Sequence, residues 1–505
     1  MTLIASTMRR VQSPRGHRIA AIATPIALIA LALAVRLVNL DQFDTLVFDE
    51  TYYVKDAYAL YQAGHELEWS DNANEFFEQG DPRGMTDKPS FVVHPPLGKW
   101  ILGFGTAIFG IDSVWAWRFP AVLVGVALVA VTYFLGVALT RSVLWGGLAG
   151  FFMAIDSQAI VMSRTALLDI VLAMFVALGV AFIALDRRDA PARVVRWLQS
   201  ERGMPVFLWR PWIMAAGIAF GCAAATKWSG LYYLAAFGLW SVVMDVVDSY
   251  RASKSMKSLV GLATQGPVSF VLLVVPAAIA YVASFAGWFV SGGYMRHWAG
   301  ESSDNRVSWM PDEWPETWHS FIQYHVKTYE FHVGLTKDHA FQSPAIEWLL
   351  MLRPTGFASD TPAEGYVQYV SAMPNMVLWW AGTVALLAGL FLFGRTLNPT
   401  LGMLLVAIAA GYVPWLLYPD RTIFSFYSIV YAPFIVLLLV YLLRWLAKGL
   451  PGSPLSRDFR IANGSAVAAF AAFVVMAYVF WSPVIYGFPV ADDWMRLRYW
   501  LPGWR

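Results

Sequence analysis

The sequence predicts an all-α polytopic membrane protein with about 11 transmembrane helices and two large outward-facing loops. Three observations carry that prediction. Of 505 residues, 58% are hydrophobic and only 14% charged, with mean hydropathy +0.53, whereas soluble domains carry roughly 25% charged residues. Several runs approach the ~20 apolar residues that a bilayer core demands. The 24 Trp and 22 Tyr suit two interfacial belts. A net charge of +2 gives no reason to invoke nucleic acid.

The first run, Ile19–Leu40, follows a basic segment, residues 1–18, and is long enough to stay as an anchor. Ten more runs are bounded by charges, Pro and Gly: Phe119–Leu139, Leu144–Met162, Leu167–Leu185, Pro211–Thr226, Leu231–Val247, one ending near Val290, Met376–Phe393, Leu401–Leu417, Phe424–Leu443 and Ala466–Trp481. The stretch Trp100–Gly110 is too short to span and reads as a half-buried or surface helix. The single cysteine, Cys222, sits in an apolar run and reads as packing.

Lys and Arg are densest in the short loops around Arg187, Arg188, Arg193, Arg196, Arg202 and Arg210, and around Arg251, Lys254 and Lys257. The positive-inside rule places these loops and the N-terminus in the cytoplasm. The chain then divides into a cytoplasmic N-terminus (1–18), a transmembrane core (19–290) carrying the first outer loop (41–118), a large outer loop (291–374), C-terminal transmembrane helices (375–482) and an outer tail (483–505).

The stretch Val47-Phe48-Asp49-Glu50-Thr51-Tyr52-Tyr53 puts two carboxylates beside a membrane surface in an aromatic setting. Ionisable groups at such a place mark a functional site by default. The plain alternative is a solvated helix start, with Asp49 as N-cap and Glu50 in the first turn. Arg118, Arg164, Lys227 and Arg421 stand at span ends on the same outer side. A single such cation usually snorkels to headgroups, but a cluster beside an acidic loop can grip a lipid phosphate. Asp169 reads either as an internal partner for Arg164 or another buried cation, or as support for Asp49.

His325, His332 and His339 recur every seven residues, with Gly334 interrupting the helix. Helical metal sites favour closer spacing, so no metal is assigned. Trp314, Trp318, Phe321, Tyr324, Tyr329 and Phe331 make this stretch an interfacial aromatic helix. No Walker loop, G-x-G-x-x-G turn or nucleophile elbow occurs, which leaves nucleotide-driven function unsupported.

Asp49-Glu50, the segment His94-Pro95-Pro96-Leu97-Gly98-Lys99, and Lys227-Trp228-Ser229-Gly230-Leu231 between short spans form a specific set. Together with the ordered spans, which cover almost the whole chain, the set resembles the protein O-mannosyltransferases, membrane enzymes of the GT-C fold. The resemblance extends to Arg118, to Arg164 through Asp169, to Lys227 and to Arg353-Pro354. Arg421-Thr422-Ile423-Phe424-Ser425-Phe426-Tyr427 resembles the lipid-phosphate end of bacterial members. The eukaryotic enzymes insert a β-trefoil MIR domain in the large outer loop, and Ser291–Pro374 is too short to hold one. The resemblance is therefore to the bacterial, actinobacterial-type branch.

It implies transfer of mannose from polyprenyl-phosphate-mannose to Ser or Thr of secreted or membrane polypeptides. The implied place is the outer face of the bacterial plasma membrane, near the Sec translocon. It implies Asp49 as base, Glu50 as an orienting carboxylate, and Arg118, Arg164, Asp169, Lys227, Arg421 and Tyr427 as donor-phosphate or substrate residues. His94, Pro95, Pro96 and Lys99 are implied as a structural motif. No cofactor is assigned, and although a divalent cation is compatible with the chemistry, no pattern indicates one. The competing readings are a GT-C transferase acting on lipid or cell-wall glycan and a lipid or sugar transporter. The transporter reading calls for ionisable residues near mid-span.

Overall fold

The computed structural model describes residues 14–199, 206–450 and 453–504. Arg202 and most of segment 1–18 lie outside the described residues. Helices of ten residues or more are α1 (Pro14–Leu37), α2 (Glu50–Ala63), α3 (Leu97–Phe109), α4 (Val114–Thr140), α5 (Val143–Ile155), α6 (Leu168–Gln199), α7 (Pro211–Ala224), α8 (Gly230–Ser253), α9 (Gly261–Ser284), α10 (Glu316–Gly334), α11 (Met376–Thr396), α12 (Pro399–Tyr412), α13 (Ala432–Lys448) and α14 (Arg457–Tyr486).

Among the described residues, eight helices are long and apolar enough to cross a bilayer, some lengthened by adjoining tight or wide turns: α1, α4, α6, α8, α9, α11, α12 and α14. The sequence reading expects eleven spans. The remaining three positions hold the shorter helices α5, α7 and α13. α5 stops at Asp156, whose carboxylate accepts from Ala159 N at 2.9 Å and so starts a separate helix, Ser157–Met162. α7 opens on Pro211 in its first turn, and α13 follows a 3-10 turn, Ser425–Val430.

The fold is not purely helical. Strand Leu67–Trp69 pairs antiparallel with Met85–Pro89. Tyr366–Ser371 lies between Gly356–Asp360 and Val490–Ala491 in a three-stranded antiparallel sheet. These strands are too short to show alternation against an apolar background.

α6 is the central post. Ile170, Val171, Ala173, Val176, Val180 and Ile183 along it are wholly buried, as expected of a helix apolar all round. α7 packs closest to α9, because Gly217 and Gly221 bring its backbone onto the carbonyls of Leu273 and Ala277. A Cβ would lie 2.2 and 2.4 Å from those oxygens. Small residues four apart are the usual device for close approach of membrane helices.

At the other end of these helices, Arg210 joins Asp186 (2.6 Å), Asp245 (2.6 Å) and Ser269 (3.1 Å), and Arg193 joins Asp186 (2.8 Å). Two arginines of the basic loop are therefore buried and neutralised by α6 and α8 carboxylates rather than solvated.

Candidate active site

Four segments meet at the N-terminal end of α6. The first is the turn into α2. Phe48 there has φ +50°, a left-handed conformation that costs a non-glycine residue energy. Its ring is held against Phe357, Phe424 and Phe426 at centroid distances of 5.1, 5.4 and 5.6 Å. That fixes the backbone leading to Asp49 and Glu50.

The two carboxylates part company here. Glu50 is fully buried and accepts from Arg118 Nε (3.0 Å) and Nη2 (2.9 Å), Val47 N (3.0 Å) and Ala166 N (2.8 Å). Arg118 spends its remaining donors on the carbonyls of Leu40, Phe43 and Thr45 at 2.8–3.0 Å. With all five N–H groups committed, Arg118 has none for a phosphate, and the expected clamp role does not fit it. Arg164 donates to the carbonyls of Asn39 and Ile485 and stacks on Tyr486 at 4.8 Å, while its buried Nε has no protein partner. Both arginines line a separate, water-sized cavity of about 30 Å³.

Asp49 occupies the N-cap position of α2, yet its side chain makes no cap hydrogen bond. It accepts instead from Tyr53 Oη at 3.3 Å. Burial raises its pKa above the ordinary carboxylate range, with Lys227 opposing and Asp169 adding to the shift.

The His94–Lys99 segment is the second element. Leu97 N donates to Ala225 O at 3.1 Å, docking the start of α3 on the end of α7. A Cβ on Gly98 would meet Leu168 at 2.7 Å and Thr226 at 2.8 Å, so glycine permits the contact. Lys99 is buried in ion pairs with Glu66 and Asp56, a structural use. His94 packs between Tyr53 (6.0 Å) and His332 (5.2 Å). Burial first, then Lys227 and His332, hold its pKa well below the usual histidine range, so it is neutral.

The third and fourth segments carry the cations. Lys227 Nζ donates to Asp169 Oδ2 at 2.7 Å and lies over the rings of Tyr427 (5.2 Å) and Tyr53 (5.9 Å). Arg421 stacks on Trp415 at 5.3 Å, and its Nη2 reaches His332 Nδ1 at 3.2 Å. Its buried Nε has no protein partner.

His94, Asp169, Lys227, Arg421 and Tyr427, all named from sequence, line one cavity of about 410 Å³. Neither Asp49 nor Tyr53 lines it, but both lie close to Lys227, which does. The cavity adds residues that sequence reading did not assign: Trp228, Tyr232, Tyr329, Trp415, Tyr418 and His332. Its mixture of two cations, aromatic faces and apolar walls fits a phosphorylated amphiphile.

The three histidines are engaged with protein groups. His325 binds the Tyr281 hydroxyl (2.7 Å) and Phe321 O (2.7 Å), His332 binds Val93 O (2.9 Å), and the His339 ring meets Phe48 at 5.6 Å. Among the described residues no group of three or more His, Cys, Asp or Glu could hold a metal ion.

The sequence pattern of the family described as dolichyl-phosphate-mannose-protein mannosyltransferase matches residues 26–288. A second pattern, the C-terminal four-transmembrane region of protein O-mannosyltransferase, matches residues 317–504. A polyprenol-phosphate-mannose–protein mannosyltransferase of Mycobacterium tuberculosis is 31% identical over 501 residues, spanning 94% of this chain and 90% of its own. A namesake from Corynebacterium glutamicum is 28% identical, spanning 91% and 88%. The solved S. cerevisiae protein O-mannosyltransferase complex bound to its sugar donor shares the fold, with TM-score 0.71 at 16% identity over 96% of this chain and 92% of that one. The Archaeoglobus fulgidus oligosaccharyltransferase gives TM-score 0.52 at 13% identity, with 95% of this chain and 57% of that chain covered. With family patterns over both halves of the chain and relatives along nearly its full length, this chain belongs to the protein O-mannosyltransferase family, as a multi-pass membrane glycosyltransferase of the GT-C fold.

Proposed function

We propose that the protein transfers mannose from polyprenyl-phosphate-mannose to Ser or Thr hydroxyls of secreted or membrane polypeptides, at the outer face of a bacterial plasma membrane. The observation that carries this reading is the pairing of a cavity walled by two cations, one of which keeps a buried N–H without a protein partner, with Asp49 close to Lys227. Lys227 and Arg421 lie in the cavity wall, and Asp49 has a raised pKa and only a tyrosine hydroxyl on it.

The step follows from these groups. The acceptor hydroxyl attacks the mannose anomeric carbon and gives its proton to Asp49. The bond from that carbon to the phosphate oxygen breaks as the new carbon–oxygen bond forms. Polyprenyl phosphate leaves as an anion and needs no proton, and Lys227 and Arg421 stabilise the charge that develops on it. Asp169 holds Lys227 in place. Single displacement inverts the centre, so a β-linked donor gives an α-mannoside. The Tyr427 face supports Lys227, and Arg118 and Arg164 act by fixing the loop that carries Asp49. Placement of the active side outward and the N-terminus inward is supported by the charge bias of the short loops, and a site on that side would meet polypeptides as they emerge from the Sec translocon.

The test is to offer the purified protein radiolabelled polyprenyl-phosphate-mannose with a Ser/Thr peptide and with lipid-linked glycan. Label in the peptide as an α-mannoside is expected. Label in the glycan alone, or movement of donor across a vesicle without transfer, would overturn the reading.

A further inference from the structure

His332 sits on α10, in the large outer loop, at the cavity wall. Its Nε2 reaches Val93 O at 2.9 Å, immediately before His94. A carbonyl only accepts, so this nitrogen carries the proton and Nδ1 presents its lone pair. That lone pair faces Arg421 Nη2 at 3.2 Å. The imidazole also packs against the rings of His94 (5.2 Å) and Trp228 (5.8 Å). Arg421 is thus gripped on one edge by His332 and on one face by Trp415, while its Nε stays without a protein partner.

We infer that His332 is a positioning residue for the donor phosphate: it aims the Arg421 guanidinium into the cavity and ties that aim to the outer-loop helix α10. Two further contacts hold α10 itself. Tyr324 donates to Val92 O, and His325 accepts from the Tyr281 hydroxyl, which also accepts from Trp228 Nε1 at 2.9 Å. His325 and His332, two helical turns apart, therefore place one face of α10 on the segments bearing His94 and Lys227. The inference rests on the proposed function only in taking a polyprenyl phosphate as the ligand.

A double-mutant cycle tests it, read both as KM for polyprenyl-phosphate-mannose and as direct binding of polyprenyl phosphate. His332→Phe keeps an aromatic ring and its stacking but removes both the Nδ1 acceptor for Arg421 and the Nε2–H donor to Val93 O. It should raise the donor KM about tenfold, the size of one mis-set charge-assisted hydrogen bond, and weaken polyprenyl phosphate binding in parallel. His332→Asn, which restores an oxygen near the Nδ1 position, should recover most of that loss. In an Arg421→Ala background His332→Phe should cost nothing more, because a residue acting through Arg421 has nothing left to aim. Additive losses, or a His332→Phe enzyme with wild-type donor KM, would overturn the inference. Thermal unfolding of each variant identifies any that fail to fold, and the Asn variant then carries the comparison. A wild-type protein that binds polyprenyl phosphate through this pair yet labels no peptide would contradict the proposed function and leave this inference standing.

Discussion

Glu50 accepts four hydrogen bonds from two backbone amides and Arg118, whereas Asp49 accepts one from Tyr53. Adjacent carboxylates therefore have separate tasks, and their variants should fail differently. Glu50→Ala leaves the Arg118 guanidinium buried and unpaired, a loss of about 3–5 kcal/mol, seen as a lower unfolding temperature together with lower activity. A Glu50→Ala protein of wild-type thermal stability would contradict that role. As the proposed base, Asp49 would have to be ionised to take a proton, and burial raises its pKa, so transfer should rise with pH through a limb above the ordinary carboxylate range, with kcat/KM as the readout. The limb should vanish in Asp49→Asn. Lys227→Ala and Arg421→Ala should each raise the donor KM, by roughly the 1.5–3 kcal/mol of a hydrogen bond to a charged group. Wild-type donor kinetics in both would relocate the clamp. In sequence, four span-end cations on one side looked alike. Packing separates them, since Arg118 and Arg164 are surrounded by backbone carbonyls at Leu40, Phe43, Thr45, Asn39 and Ile485. Carbonyl positions are tertiary, and no residue pattern announces them.

The helical elements were legible wherever an apolar run was long, and blurred wherever it was interrupted. Leu144–Met162 reads as one run because Asp156 is its only acid, yet that carboxylate ends α5 and caps the next helix. The basic loop reads as a solvated positive-inside signal, but Arg193 and Arg210 close an ion cluster with Asp186 and Asp245 from helices far apart in sequence. α10 was legible as an aromatic helix ending at Gly334, while His332 was not legible as part of the cavity, because its depth depends on where the loop folds back. At this scale Gly217 and Gly221 are exacting positions, since each faces a backbone carbonyl of α9 rather than a flexible side chain. Gly221→Val should push α7 off α9 and displace Lys227, which follows the end of α7. Folded yield and donor binding should fall together, and an unchanged yield would contradict the close packing.

Across the whole molecule, the proposed arrangement places the acidic loop, the cavity and the α10 loop on one side and the basic loops on the other. With Cys222 replaced by Ala, cysteines at Thr396 and Ser303, both exposed, should label with an impermeant reagent from opposite faces. Labelling from one face would break the shared active side. The central claim is a division of labour between a base that moves a proton and cations that hold a phosphate. It is tested most directly by measuring mannose transfer and donor binding side by side for Asp49→Asn and the wild type. The amide keeps the size of the carboxylate but cannot act as the base, so donor binding should persist while turnover falls at least ~10²–10⁴-fold. Near-normal turnover in Asp49→Asn, or donor binding lost along with turnover, would contradict it.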